Sequence, residues 1–128
     1  MRNSILIIIL FLSATILFSC QNEAENKTAQ SSVLIINAII DKEHKSELNE
    51  YLTQMMQIFK AYNGTPIGRY KTTEKLMGSQ APEMIAMISF EDTETIKRMI
   101  NDKKFKELSE IREQVFSGLN IVICTELE

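Results

Sequence analysis

Several residue types that particular protein classes require are scarce in this sequence. It has no Trp, one His, two Cys, four Gly and two Pro among 128 residues. So little Gly and Pro excludes collagen and low-complexity chains, and two cysteines cannot build the disulfide framework of a small secreted scaffold. Acidic residues outnumber basic ones by 17 to 14, for a net charge of −3. Because nucleic-acid-binding domains are usually basic, we expect no nucleic-acid partner.

The sequence also lacks the short motifs of common active sites. It contains no Cys/His cluster with zinc spacing, no glycine-rich phosphate loop and no G-x-S-x-G turn. We therefore expect no metal site and no cofactor. What is present is a globular composition, with 45% apolar and 24% charged residues, in a chain long enough for one domain.

The N-terminus has the pattern of a signal peptide. Arg2 gives it a positive charge, and an apolar run then extends from Ile5 to Ser19. A helix needs about 20 residues to cross the hydrocarbon core of a bilayer. This run has 15, so its length favours a signal peptide over residues 1–19 rather than a permanent span.

The apolar run ends at Leu17-Phe18-Ser19-Cys20, which resembles the lipobox of bacterial lipoproteins. The resemblance implies that Cys20 is acylated, becomes the mature N-terminus and anchors the chain to a membrane of the bacterial cell envelope. Ordinary secretory cleavage and an uncleaved anchor are the alternatives. After Cys20, no large apolar residue occurs up to residue 32, so we interpret residues 20–32 as a flexible tether.

Residues 33–128 are expected to form the folded domain. The segment from Val33 to Ile40 is short, apolar and rich in β-branched residues, which is typical of a buried strand. Ser46 is expected to cap a helix that Asn63-Gly64 ends. The apolar face of this helix repeats every three or four residues and consists of Leu48, Tyr51, Leu52, Met55, Phe59 and Tyr62.

Two more strands, a second helix and a last strand are predicted to follow. They are a strand from Thr65 to Thr73, a strand from Met84 to Phe90, a helix capped by Asp92 or Thr93 and broken near Asn101-Asp102, a helix stop at Ser117-Gly118, and a strand from Asn120 to Leu127. Because Pro66 cannot donate a hydrogen bond to a neighbouring strand, the second strand should lie at a sheet edge.

The element order β-α-β-β-α-β predicts an α+β, ferredoxin-like domain. Its antiparallel sheet would have strand order 4-1-3-2, with both helices on one face. The other face would be uncovered, although both sets of alternating residues in the two central strands are largely apolar. We therefore expect a homodimer that packs sheet to sheet through residues such as Ile35 and Met87.

Five stretches between Ile39 and Cys124 form a set of motifs: IIDKEHKSELNEY, AYNG, Pro82 with the following MIAMISF, FEDTETIKRMINDKKFKELSEIRE and NIVIC. In these stretches the chain resembles a dimeric α+β-barrel family, the domain of unknown function 1330. The resemblance implies a pocket between sheet and helices or inside a dimeric barrel. Structural relatives of the family include cofactor-free monooxygenases, haem-degrading enzymes, muconolactone-isomerase-like proteins and stress proteins, so it implies no single activity.

Three polar residues are candidates for a ligand pocket: Asn37, Arg69 and His44. Asn37 is the one polar residue in the apolar run of the first strand. If Asn37 and Arg69 face the same interior, they would suit a small carboxylate or carbonyl ligand. His44 is the only histidine and could be a general base or a haem ligand. Alternatively, Asn37 bonds a backbone group, Arg69 and Arg112 pair with surface carboxylates, and His44 is a solvated loop residue.

Three functions stay open on the sequence alone. They are a small-molecule-binding module without turnover, a cofactor-free enzyme acting on a small carbonyl or aromatic compound, and a structural or partner-binding module. The lack of a nucleophile triad or nucleotide loop favours binding over catalysis. A closed cavity of about 300 Å³ or more, lined by at least two of the three candidates, would support a site. A filled interior with all three in solvent would favour the structural role.

Overall fold

A computed structural model describes residues 30–127. The predicted signal peptide, Cys20 and most of the tether lie outside the described residues. In chain order the elements are β1 (Ser32–Ile40), α1 (Lys45–Ala61), β2 (Thr65–Lys71), β3 (Met84–Phe90), α2 (Thr93–Asn101), α3 (Lys103–Glu107), α4 (Ser109–Val115) and β4 (Phe116–Thr125). Within residues 30–127, no helix is long and apolar enough to cross a membrane.

The four strands form one antiparallel sheet in the order β2-β3-β1-β4. This confirms the predicted order, with the two most apolar strands in the centre and β2 at an edge. Leu34 and Ala38 of β1 and Met84 and Ile88 of β3 are buried in the core beneath the helices. The domain therefore has the α+β, ferredoxin-like fold that the element order predicts.

The pairing register divides the side chains of the sheet between two faces. Ile36 of β1 lies opposite Ala86 of β3 on the side that the helices cover, and the next pair, Asn37 and Ile85, lies on the other side. We call this second side the open face. By register its side chains are those of Val33, Ile35, Asn37, Ile39, Thr65, Tyr70, Ile85, Met87, Ser89, Asn120, Val122 and Cys124. None of these residues carries a charge.

Helix α1 differs from its prediction at both ends. It begins earlier than expected, so Ser46 lies inside the first turn, and His44 holds the cap position without a side-chain bond. At the other end Asn63, rather than Gly64, adopts the left-handed conformation, with φ 57°. Gly64 is required for a different reason, because a Cβ there would lie 2.7 Å from the ring of Phe90.

The second helical region consists of three short helices. Asp92 caps α2 as predicted, and its carboxylate accepts the Thr95 N–H at 2.6 Å. The predicted break near Asn101-Asp102 is confirmed, since Asp102 ends α2 and accepts the Lys104 N–H at 2.7 Å to start α3. A second break, at Leu108, was not predicted.

Strands β2 and β4 have different bounds from those predicted. β2 ends at Lys71, and β4 already begins at Phe116, so Ser117-Gly118 lies within a strand and does not end a helix. The register between β1 and β4 shifts at Ile39 and Ile40, which accommodates the extra residue as a bulge. A glycine suits position 118 because a Cβ at this position would lie only 3.1 Å from the side chain of Ile39.

Candidate functional site

A cavity of about 450 Å³ lies between helix α1 and the β2 side of the sheet. This volume is within the range of about 300–1,000 Å³ that is usual for small-molecule pockets. We call it the α1–β2 cavity. Its lining consists of Ile36, Tyr51, Leu52, Met55, Met56, Phe59, Pro66, Ile67, Gly68, Arg69, Met84, Ala86, Met87, Ile88 and Phe116.

The wall and the mouth of the cavity have different exposure. Tyr51, Met55 and Phe59 form a buried wall on α1. Met56 and Ile67 are 48% and 51% exposed, so they flank the opening between the helix and the edge strand. The interior is therefore apolar, and solvent or a ligand reaches it past apolar side chains.

A small residue in the sheet helps to explain why the space is unfilled. Ala86 is the smallest residue that β3 turns toward the helices. Gly68 does not add to this volume, because a Cβ there would point to the open face and meet the ring of Tyr70. Pro66 and Gly68 also flank a register shift in β2, so this edge strand is irregular where it borders the cavity. The side chains of α1 do not reach far enough to fill the resulting volume.

Arg69 lines the cavity. Its pairing with Ala86 places it on the helix-covered side of the sheet, and its side chain is exposed. Among the residues that the structure describes, no carboxylate lies within ion-pair distance of its guanidinium. The alternative that Arg69 pairs with a surface carboxylate is therefore wrong for the described part of the chain.

Asn37 and Arg69 are not brought together. The register places Asn37 on the open face, opposite Ile85 on one side and Asn120 on the other. It borders a separate, shallow pocket of about 260 Å³ that also includes Gly118 and Pro82. The shared interior expected for Asn37 and Arg69 does not exist within one protomer, because alternate residues of a strand face opposite sides.

His44 is also outside the cavity lining. It precedes α1, and its side chain is 38% exposed with Nδ1 3.5 Å from Asp41 Oδ1. Nδ1 has no hydrogen-bond partner. Within residues 30–127, no group of three or more His, Cys, Asp or Glu side chains could hold a metal ion. Of the three candidates from the sequence, only Arg69 borders the α1–β2 cavity, so the expectation of a closed cavity lined by at least two of them is not met.

Tyr51 is a polar lining residue that the sequence analysis assigned only to core packing. Its phenol oxygen accepts a hydrogen bond from Arg112 Nε at 3.2 Å. Burial raises the pKa of Tyr51, and the hydrogen bond from Arg112 opposes that rise in part. Tyr51 is therefore a neutral phenol at physiological pH. The sequence signal for this role was the presence of a polar residue on the buried face of α1. Its hydrogen-bond partner could not be identified in advance, because Arg112 lies 61 residues away.

Residues 32–127 match the family model described as domain of unknown function (DUF1330). The chain therefore belongs to this family, as the sequence motifs indicated. No functionally curated protein matches the chain.

Solved structures share the fold at low sequence identity. A protein of unknown function from Rhodopseudomonas palustris has a TM-score of 0.67 and 10% identity, with coverage of 81% of this chain and 88% of that one. A dabb family protein with a ferredoxin-like fold from Mesorhizobium loti has a TM-score of 0.60 and 11% identity, over 77% and 99% of the two chains. A putative antibiotic biosynthesis monooxygenase from Bacteroides thetaiotaomicron has a TM-score of 0.54 and 22% identity, over 77% and 91%. These likenesses show the fold alone.

Proposed function

We propose that the domain binds a small, largely apolar molecule in the α1–β2 cavity. The observation that carries this proposal is an unfilled volume of about 450 Å³ whose lining is apolar except for Tyr51 and Arg69. Other clefts of similar volume lie on the domain, so the apolar character of the lining, rather than the volume alone, distinguishes this one. A cavity that combines apolar walls with very few polar groups is typical of a ligand site.

The same lining favours binding over catalysis. An enzyme that abstracts a proton from its substrate needs a base with a pKa near the working pH. A guanidinium group does not act as a proton acceptor in proteins, and burial raises the pKa of Tyr51, so the two polar side chains of the lining do not supply such a base. His44, the only histidine of the sequence and the usual type of general base, is not part of the lining. The cofactor-free enzyme is therefore the weaker alternative.

Filling the cavity tests the proposal. The probe is 2-naphthamide, a neutral aromatic compound, and binding to the full chain in lipid nanodiscs is measured by calorimetry, with empty nanodiscs as the partition control. Ala86→Leu places extra side-chain atoms in the cavity and should weaken binding at least about tenfold, or 1.4 kcal/mol. The matched control is Ala61→Leu, an exposed position at the end of α1 that is outside the lining. Equal affinities of the wild type and Ala86→Leu for this probe would refute the proposal, as would a wild type that binds neither 2-naphthamide nor its carboxylate analogue, 2-naphthoate.

We also propose that the protein is a lipoprotein of the bacterial cell envelope. The support is the resemblance of Leu17-Phe18-Ser19-Cys20 to a lipobox at the end of a short apolar run. Acyl chains on Cys20 would hold the chain at the membrane, since each buried methylene contributes about 0.8 kcal/mol. The polar tether would then let the binding domain sample the aqueous space beside the bilayer.

We propose, finally, that the protein is a homodimer that buries the open face. The helices cover only the opposite side of the sheet, and the open face presents Ile35, Ile85, Met87 and Val122 without a charged neighbour on that face. A second copy offers the same uncharged surface, so two-fold packing would cover both faces at once. Burial of apolar area is favourable by about 25 cal/mol per Å², which supports this association. The α1–β2 cavity is lined mainly by residues of the helix side, together with Met87 of the open face.

A further inference from the structure

We propose that the natural ligand of the α1–β2 cavity is an aryl carboxylate, with its ring in the cavity and its carboxylate held at the mouth by Arg69. This inference rests on the proposed binding function and assigns the chemistry and orientation of the ligand. It follows from the position of Arg69, from the charges next to it and from the composition of the wall.

Arg69 lies at the boundary between the cavity and a second, shallower pocket. That neighbouring pocket includes Lys42, Lys71 and Glu83, and Arg69 lines both. Lys71 pairs with Met84, so it projects from β2 on the same side of the sheet as Arg69, two residues away. A group bound to Arg69 would thus lie between an apolar interior and a basic surface.

The charges around this mouth favour an anion. Lys42, Arg69 and Lys71 contribute three positive charges against one negative charge from Glu83. Glu83 is 3.9 Å from Lys42, and the Lys42 side chain in this pair is 78% exposed, so the pair is weak. Among the described residues, Lys71 has no carboxylate within ion-pair distance either. In a chain of net charge −3, this local excess of positive charge would attract an anionic ligand.

The cation that borders the cavity is an arginine, Arg69, and this indicates that the anionic group of the ligand is a carboxylate. The guanidinium of arginine is a planar fork that donates two parallel hydrogen bonds to the two oxygens of a carboxylate. No intramolecular group in the described part of the chain occupies the guanidinium of Arg69. The interior beyond it offers Tyr51 as the one other polar side chain, which suits a ligand with a single charged group at one end.

The wall indicates an aromatic body. The rings of Tyr51, Phe59 and Phe116 border the cavity together with the thioethers of Met55 and Met84. Aromatic rings pack favourably edge-on against one another, and methionine sulfur contacts aromatic rings favourably. Methionine side chains also adapt to the shape of a bound molecule, because they are unbranched.

Two probes of nearly equal shape separate the head group from the ring. The full chain in nanodiscs is titrated with 2-naphthoate and with 2-naphthamide, which differ in the charge of the head group. We expect the wild type to prefer 2-naphthoate by about tenfold, in keeping with a charge-assisted bidentate pair. Arg69→Gln should remove this preference by weakening the binding of 2-naphthoate. Arg69→Lys should retain part of the preference, since charge remains but the fork is lost.

The matched control is Arg98→Gln on α2, an exposed arginine outside the cavity lining, which should leave both affinities unchanged. Circular dichroism verifies the fold of each variant. Equal affinity of the wild type for the two probes, or an unchanged preference in Arg69→Gln, would overturn the head-group assignment while the cavity remains a binding site. If neither probe binds the wild type, the binding function itself fails together with this inference.

Discussion

Arg112 on α4 donates a hydrogen bond from Nε to the phenol oxygen of Tyr51 on α1, over 3.2 Å. The same guanidinium donates from Nη2 to the carbonyl of Phe105 at 2.8 Å, and its central carbon lies 4.2 Å from the centre of the Phe105 ring. The ring of Tyr51 packs edge-on against Phe116, with ring centres 5.4 Å apart. Arg112 therefore connects α1, α3 and α4 and holds in place the part of the cavity wall that Tyr51 provides.

Removal of this arginine should destabilise the fold more than removal of the phenol oxygen. Arg112→Met keeps an apolar stem but loses both hydrogen bonds, and we expect the free energy of unfolding to fall by about 1.5–3 kcal/mol. Tyr51→Phe should cost about 0.5–1.5 kcal/mol. The double variant should cost less than the sum, because the two residues share one bond. Urea denaturation measures all three, with the exposed Lys106→Met on α3 as control; strictly additive losses would contradict the coupling.

The hydrogen bond between Tyr62 and Asp102 should make stability depend on pH at both extremes. Tyr62 donates its hydroxyl to Asp102 Oδ2 at 2.6 Å. This bond lowers the pKa of Asp102 below its ordinary value of 3.8 and raises the pKa of Tyr62 above its ordinary value of 10.0. A lowered carboxyl pKa contributes stability above about pH 4 that is lost as the pH falls through the folded-state pKa. A raised phenol pKa contributes stability below about pH 10 that is lost at higher pH.

Comparison with Tyr62→Phe isolates that contribution. The wild type should melt at a higher temperature than the variant by a constant margin between about pH 5 and 9, and the margin should shrink below about pH 4 and above about pH 10. Thermal melts followed by circular dichroism give the margin at each pH. Lys106→Met, at an exposed position of α3, serves as control and should show no such loss of stability at either extreme. A margin that does not change from pH 3 to 11 would contradict this assignment.

The fold could be predicted because local signals and the global pattern agree. The apolar residues of β1 and β3 predicted two central strands, Asp92 was one of the two residues expected to cap the second helix, and the helical region breaks at Asp102 as predicted. Helix ends that depend on tertiary contacts could not be predicted. Gly64 was expected to adopt the left-handed conformation, but the close approach of Phe90 explains its presence, and Asn63 makes the turn.

The candidate site was predictable only in part. The side of the sheet that Arg69 faces depends on the register between β2 and β3. That register shifts between Pro66 and Gly68, and no unambiguous sequence signal marks the shift. From the sequence alone, Ala86 is an ordinary small core residue, and only the position of α1 shows that it borders a cavity. The hydrogen bond between Tyr51 and Arg112 joins residues that only the assembled helices bring together.

Replacement of the first cysteine tests the membrane anchor. Cys20→Ser removes the thiol that would receive the lipid, so labelling with a radioactive or clickable fatty acid should be abolished, and the precursor should remain uncut by the lipoprotein signal peptidase. Cys124→Ser is the matched control, because it removes the other cysteine and should leave labelling and processing intact. Unchanged labelling in Cys20→Ser would show that the resemblance to a lipobox is not functional.

A charge in the centre of the open face tests the homodimer. Met87 lies opposite Ile35, which lies opposite Val122, so the three side chains form one row across the sheet. In a two-fold dimer this row would be buried, and Met87→Lys would bring a charge into an apolar interface without a partner.

We therefore expect the wild type to be dimeric in light scattering at micromolar concentration, and Met87→Lys to be monomeric or to aggregate. Ile35→Glu should behave in the same way, whereas Gln57→Lys, on the exposed surface of α1, should remain dimeric. A soluble monomer of the unmodified protein would exclude the dimer, and the open face would then have to be covered by a partner of another kind.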